Sequence, residues 1–114
     1  MTILNRDAFL AIKRPDPVAV NLPDGVIHVR VMTAREREQY ETTIRKKTES
    51  GKADDVRAEV VQRCACDADG NLLFTAADLP LLADLPFTVI NPIFEAATTA
   101  NSMQANAVEQ AEKN

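Results

Sequence analysis

Residues 66–74 read CDADGNLLF, and Asp67, Asp69 and Gly70 carry the spacing that opens a calcium loop. Such a loop needs Gly at its sixth position and a bidentate Glu at its twelfth, because calcium takes about six to eight oxygen ligands. Placing Gly70 sixth puts Ala65 first and Ala76 twelfth, so both end ligands are missing. Two carboxylates do not build that cage. Asp, Gly and Asn are also what a tight turn demands, since Asx side chains bond their own backbone and Gly accepts a positive φ. The stretch reads as a turn that aims Leu72, Leu73 and Phe74 back at the core.

Cys64 and Cys66 form C-x-C, the start of a zinc site, but tetrahedral zinc needs further ligands. The chain has no other Cys and a single His, His28. Free Cys is among the most buried residue types, so both are expected to be small core residues. A nucleophile–base pair would need His28 beside a Ser, Cys or Thr. His28 is expected to point to water, on the face opposite an aliphatic one. With three glycines in the chain, there is no glycine-rich phosphate loop, dinucleotide fingerprint or nucleophile elbow. Arg45, Lys46 and Lys47 are flanked by Glu41 and Glu49, as at a solvated helix end. We therefore expect no catalytic, cofactor-binding or metal-binding residues, no cofactor, and no enzyme.

The elements that would position these side chains can be read from pattern. Residues 5–12 suit a short helix capped by Asn5, with Phe9, Leu10 and Ile12 as its apolar side; Pro15 and Pro17 stop it. Val18, Val20 and Leu22, then Ile27, Val29 and Val31, alternate on either side of Pro23-Asp24-Gly25, a β-hairpin signal. Thr33 and Glu36 have capping-box spacing and open a helix toward Gly51, with Glu41 and Arg45 placed for an i,i+4 pair. Its apolar stripe is only Ala34, Tyr40 and Ile44, narrow for a helix packed on a core.

A second helix over roughly 54–65 turns Val56, Val60, Val61 and Cys64 to one side and Arg57, Glu59 and Arg63 elsewhere. Thr75 and Asp78 repeat the capping-box spacing before a short helix with Leu79, Leu81, Leu82 and Leu85. Pro86 suits the start of a last helix, whose face is Phe87, Ile90, Ile93, Phe94 and Ala97. Pro92 either kinks that helix or moves its start toward Asn91. Phe74, Leu82, Ile90 and Phe94 are expected to be buried.

The expected fold is α+β and mainly α-helical: one small domain of about four to five helices with one β-hairpin near the N-terminus. The domain is expected over residues 1–100, with a polar, flexible C-terminal tail over 101–114. The chain is 114 residues long, 46% hydrophobic and 4% aromatic, with no Trp and a net charge of −4. A core of Val, Leu, Ile and Ala follows, with few aromatic anchors for a tight interface. The acidic balance disfavours nucleic acid, which needs a basic face. No apolar run is long enough for a membrane span, and the first residues lack a signal-peptide pattern. The expected compartment is the cytosol.

The order of features resembles a known family. LPDG and VIHVRVMT lead into a charged AREREQYE helix; VRAEVVQRCACDADGNLLFT follows, and AADLPLLADLPFTVINPIFEAATTANSM closes the domain. This arrangement, over roughly residues 15–103, is similar to the tail assembly chaperones of long-tailed, non-contractile, siphovirus-type bacteriophages. The resemblance implies a chaperone in the host cytoplasm that binds the tape measure protein and promotes tail tube assembly, and is absent from the mature virion. The tail tube protein would be a second partner, with self-association left open. No nucleic acid, membrane or small-molecule substrate is implied, and no site residues carry over. The polar stretch from Asn101 would suit a frameshifted extension of the kind the family makes. The alternative is a structural head–tail completion or minor tail protein retained in the virion. The hairpin's aliphatic face and the 34–48 helix are the expected sources of free apolar surface.

Overall fold

The computed structural model describes residues 1–103. In chain order they form α1 (Arg6–Leu10), β1 (Val18–Leu22), β2 (Gly25–Val29), α2 (Ala34–Glu49), α3 (Val56–Cys64), β3 (Ala65–Cys66), a 3-10 turn (Ala76–Asp78), α4 (Leu79–Ala83) and α5 (Phe87–Ala100). The fold is α+β and mainly helical, as expected. The three strands form one antiparallel sheet in the order β1-β2-β3.

The hairpin closes through Pro23-Asp24, with Leu22 opposite Gly25 and Val20 opposite Ile27. Its strand β2 ends at Val29 rather than Val31; just beyond it the Arg30 N–H donates to the Cys64 carbonyl at 3.0 Å. The third strand was not expected. Helix α3 ends when Ala65 turns extended, and Ala65 and Cys66 then pair with Val29 and His28.

The core lies where one face of the sheet meets α3 and α5. Val29, Val60, Val61, Cys64, Ala65 and Ala97 are fully excluded from solvent. Helix α3 is central, packing against α2, α4 and α5. On α5, Ile90, Ile93, Phe94 and Ala97 face inward, spaced as one stripe of a helix, while Phe87 stays exposed. Pro92 does not set the helix start: α5 runs unbroken from Phe87 to Ala100, with Pro86 as its N-cap.

Both capping boxes form, at Thr33 with Glu36 and at Thr75 with Asp78. Helix α2 buries Tyr40 and Ile44, so its narrow stripe is used in the core, while Ala34 is exposed. Glu41 pairs with Arg37 at 3.0 Å, one turn before it, rather than with Arg45. Phe74 is half-buried against the core, not enclosed as Leu82, Ile90 and Phe94 are. Helix α1 forms where expected, with Asn5 capping the Ala8 N–H at 2.9 Å, but it ends at Leu10, short of Ile12, and it buries no side chain.

The core runs past residue 100. Asn101 and Met103 are buried, so the first part of the expected tail belongs to the domain. The remainder of that tail, residues 104–114, lies outside the described residues.

Candidate interaction surface

The acidic turn is satisfied from within. The Asp67 carboxylate accepts from the Asp69 and Asn71 N–H groups at 2.9 Å each and from Asn71 Nδ2 at 3.3 Å. The Asn71 N–H bond leads in holding its pKa below the ordinary aspartate value. Gly70 sits at φ 88°, a left-handed conformation that only Gly enters without strain. Its carbonyl accepts from Arg30 Nη1 at 3.0 Å, fastening the turn to the end of β2. This is the turn that the sequence pattern describes, but it does not aim the whole apolar triplet at the core: Leu72 and Leu73 are exposed, and only Phe74 packs partly against it. Among the described residues no group of three or more His, Cys, Asp or Glu is arranged to hold a metal.

Cys64 and Cys66 are free and buried, one closing α3 and the other in β3. Burial pushes the Cys64 thiol up to about 12 and raises Cys66 as well. His28 and Cys66 are directly opposed across β2 and β3, and His28 is half-buried rather than solvated. The pair nonetheless lacks what a nucleophile needs. A thiol reacts as thiolate, and Cys66, 1% exposed with a raised pKa, is held in the neutral form.

Polar chemistry in the interior is structural. The Asn101 side chain accepts from the Met32 N–H at 2.7 Å and donates to the carbonyls of Ala97 at 2.9 Å and Arg30 at 3.2 Å. Its own carbonyl accepts from Arg37 Nη1 at 3.0 Å. One residue thus ties the end of α5 to the β2–α2 connection and to α2. Glu59 is also buried, against expectation, and it is held by Lys47 at 3.2 Å and Arg63 at 3.5 Å. At the start of α2, burial would raise the Glu36 carboxyl. The Thr33 N–H bond and the Arg30 and Arg14 guanidinium groups outweigh that and hold it below its ordinary value.

What remains unused is apolar surface. A groove of about 380 Å³ runs along α5, lined by Pro92, Ala96 and Ala100 at successive turns, with Glu95, Thr99 and Val18 at its edges. A second groove, of about 230 Å³, lies where α3 begins beside α4 and α5, and Leu82, Leu85, Phe87 and Ile90 line it. Arg57 reaches its edge, with its guanidinium carbon 5.4 Å from the Phe87 ring centre and 5.0 Å from that of Phe94. Leu72, Leu73, Leu81, Leu85 and Phe87 are exposed, as are Ile3, Leu4, Phe9, Leu10 and Ile12 in the N-terminal segment. Two sources of free surface were expected, α2 and the hairpin's aliphatic face; α2 supplies none, and the hairpin buries Val20 and Val29, half-buries Leu22 and Ile27 and leaves Val18 exposed. The free surface lies at the N-terminal segment, around α4, and along α5. Periodicity showed these residues to be apolar, but not which of them would lack a neighbour.

Comparison with family models, curated proteins and solved structures finds no match to this chain. Among the described residues no helix is long and apolar enough to cross a membrane.

Proposed function

We propose that the chain is a phage tail assembly chaperone, which binds the tape measure protein and promotes tail tube assembly in the host cytoplasm without entering the mature virion. The reading rests on the resemblance of residues 15–103 and on one structural observation, the open groove along α5. Pro92, Ala96 and Ala100 are small or flat residues spaced one turn apart. Small side chains let a second helix approach, and helices pack at about 8–10 Å depending on the residues at the contact. A largely helical rod suits such a groove. Few charges border it, so apolar contact dominates.

Each contact is small and lacks Trp and Tyr anchors. Many copies along one rod would supply avidity instead. Retention should then rise steeply with partner length and fall only mildly with salt. Co-expression with tape measure fragments of graded length, then pull-down at low and high salt, tests this. Retention of no fragment at any length, or loss at moderate salt, would refute the mechanism. Substituting Thr99, an exposed residue of the groove, with Glu should abolish retention while leaving the melting temperature close to that of the parent.

A further inference from the structure

The sheet has two edges, and the chain closes one of them itself. Beyond β3, the Leu73 N–H donates to the Ala65 carbonyl at 3.1 Å and Leu72 bridges Cys66. Strand β1 forms the other edge. Which of its backbone groups face outward follows from the register. The Arg30 N–H points toward β3, to the Cys64 carbonyl. Backbone groups of successive strand residues alternate between the two edges of an antiparallel strand. His28 therefore serves β3, opposite Cys66, while Ile27 and Val29 serve β1. Their partners are Val20 and Val18, which leaves the N–H and C=O groups of Ala19 and Asn21 pointing away from the sheet. Among the described residues no backbone or side-chain group bonds to them, and both residues are exposed.

An open edge is a template for another strand, and proteins blunt it with charges, bulges or proline. Strand β1 reads VAVNL, with no charge, and its register with β2 runs without a bulge. Pro17 and Pro23 stand at its two ends, so they limit the length of the edge without closing it. The chemistry of the ligand follows from the groups left open. Donors and acceptors two residues apart on one line match an extended backbone. They do not match a helix, whose own N–H and C=O groups are used internally. A strand added there lies about 4.8 Å from β1 and turns alternate side chains to the face that carries Val18 and Val20. Val18 is 46% exposed and lines the α5 groove, so apolar side chains on that face gain a neighbour and bury surface.

We infer that β1 is a docking edge for an extended segment of a partner protein, which pairs with Ala19 and Asn21 and adds a fourth strand to the sheet. The segment matches the five residues of β1 in length and carries apolar side chains at alternate positions. Main-chain bonds give such a contact its affinity, and the alternate side chains give it specificity. The inference stands apart from the tape measure. A helix of that partner packs on α5, whereas this segment bonds to the backbone of β1, and Val18 is the residue common to both.

The probe is a blocked peptide of alternating Val and Thr with a Lys at each end, added to the full chain at up to about millimolar concentration. Amide hydrogen exchange, read residue by residue by NMR, should slow at least about tenfold at Ala19 and Asn21. It should not slow at Val26, whose N–H faces the opposite way. The same peptide methylated at every central amide keeps its side chains and loses its donors, and it should bind at least about tenfold more weakly. Ala19→Pro removes one outward N–H, a change that an edge strand tolerates. It should weaken peptide binding at least about tenfold while melting close to the parent. Unchanged exchange at Ala19 and Asn21 overturns the proposal. So does a methylated peptide that binds as tightly as the unmethylated one, or an Ala19→Pro chain that binds like the parent. An Ala19→Pro chain that melts far below the parent would put the Ala19 N–H inside the ladder and overturn the open edge itself. Protection of Ala19 and Asn21 that grows with protein concentration, without peptide, would give the edge to a second copy and overturn the stated occupant. The tape measure is absent from every arm, so these outcomes are independent of the pull-down.

Discussion

Asn101 has the highest structural demand of any polar residue described, because its amide serves β2, α2 and α5 at once. Replacing it with Ala leaves the Met32 N–H and the Arg30 carbonyl without that partner, inside a core where Asn101 is 8% exposed. An unsatisfied buried polar group costs about 1–3 kcal/mol, so Asn101→Ala should lower the unfolding free energy by roughly 2–4 kcal/mol, measured by urea denaturation. Cys64 makes a different prediction. Its thiol rises from an ordinary 9.0 to about 12 in the fold, so the unfolded chain ionises first as pH rises. A raised folded value contributes stability that is intact below pH 9 and is lost between 9 and 12. Tyr40, raised from 10.0 to about 12 by burial, adds to the loss from pH 10 upward. Denaturation midpoints should fall over that window, and Cys64→Ala should flatten the fall between pH 9 and 10. Asp67 gives a third test: its carboxylate already serves the turn, so millimolar calcium should produce no heat above dilution and leave the melting temperature unmoved.

Elements were legible where a local rule fixes them. The pairs Thr33 with Glu36 and Thr75 with Asp78 are read from spacing, since a capping box involves only residues three apart. The hairpin follows from alternation around Pro23-Asp24-Gly25. What escaped was decided by distant neighbours. Strand β3 is two residues long, and only its pairing with β2 makes it a strand. Glu59 looks like a surface residue of α3 until Lys47 arrives from α2. Asn101 sits in a polar stretch, and nothing local marks it as buried. The candidate surface was missed for the same reason, since exposure of Leu81 and Phe87 depends on what does not pack against them. The Lys47–Glu59–Arg63 cluster has its own consequence for α2, which brings only Tyr40 and Ile44 to the core. Removing one partner of a buried ion pair costs about 3–5 kcal/mol; Lys47 is one-fifth exposed and Arg63 remains, so Lys47→Ala should cost less, about 1–2 kcal/mol. The loss should appear as faster hydrogen exchange in α2 before any change in α5.

At the scale of the whole molecule, stability is distributed unevenly along the chain. Nothing in residues 1–12 is buried, so removing them takes little apolar surface out of the fold. The opposite end is different. Ala97, Thr98, Asn101 and Met103 are all buried, the Met103 N–H donates to the Thr98 carbonyl at 2.7 Å, and the Asn101 carbonyl holds Arg37. Two truncations therefore bracket the domain. A chain starting at Lys13 should melt within about 2–4 °C of the parent, because a surface change away from packed features is worth at most about 0.5 kcal/mol. A chain ending at Ala100 loses the Asn101 bonds together with the Met103 side chain, whose removal from a core alone costs about 2–5 kcal/mol. Against a typical total of about 5–15 kcal/mol, that truncation should melt far below the parent, whereas one ending at Met103 should melt close to it. Circular dichroism melts of the three chains decide it. A chain ending at Ala100 that melts like the parent would mean that the core closes before Asn101, contrary to the packing described.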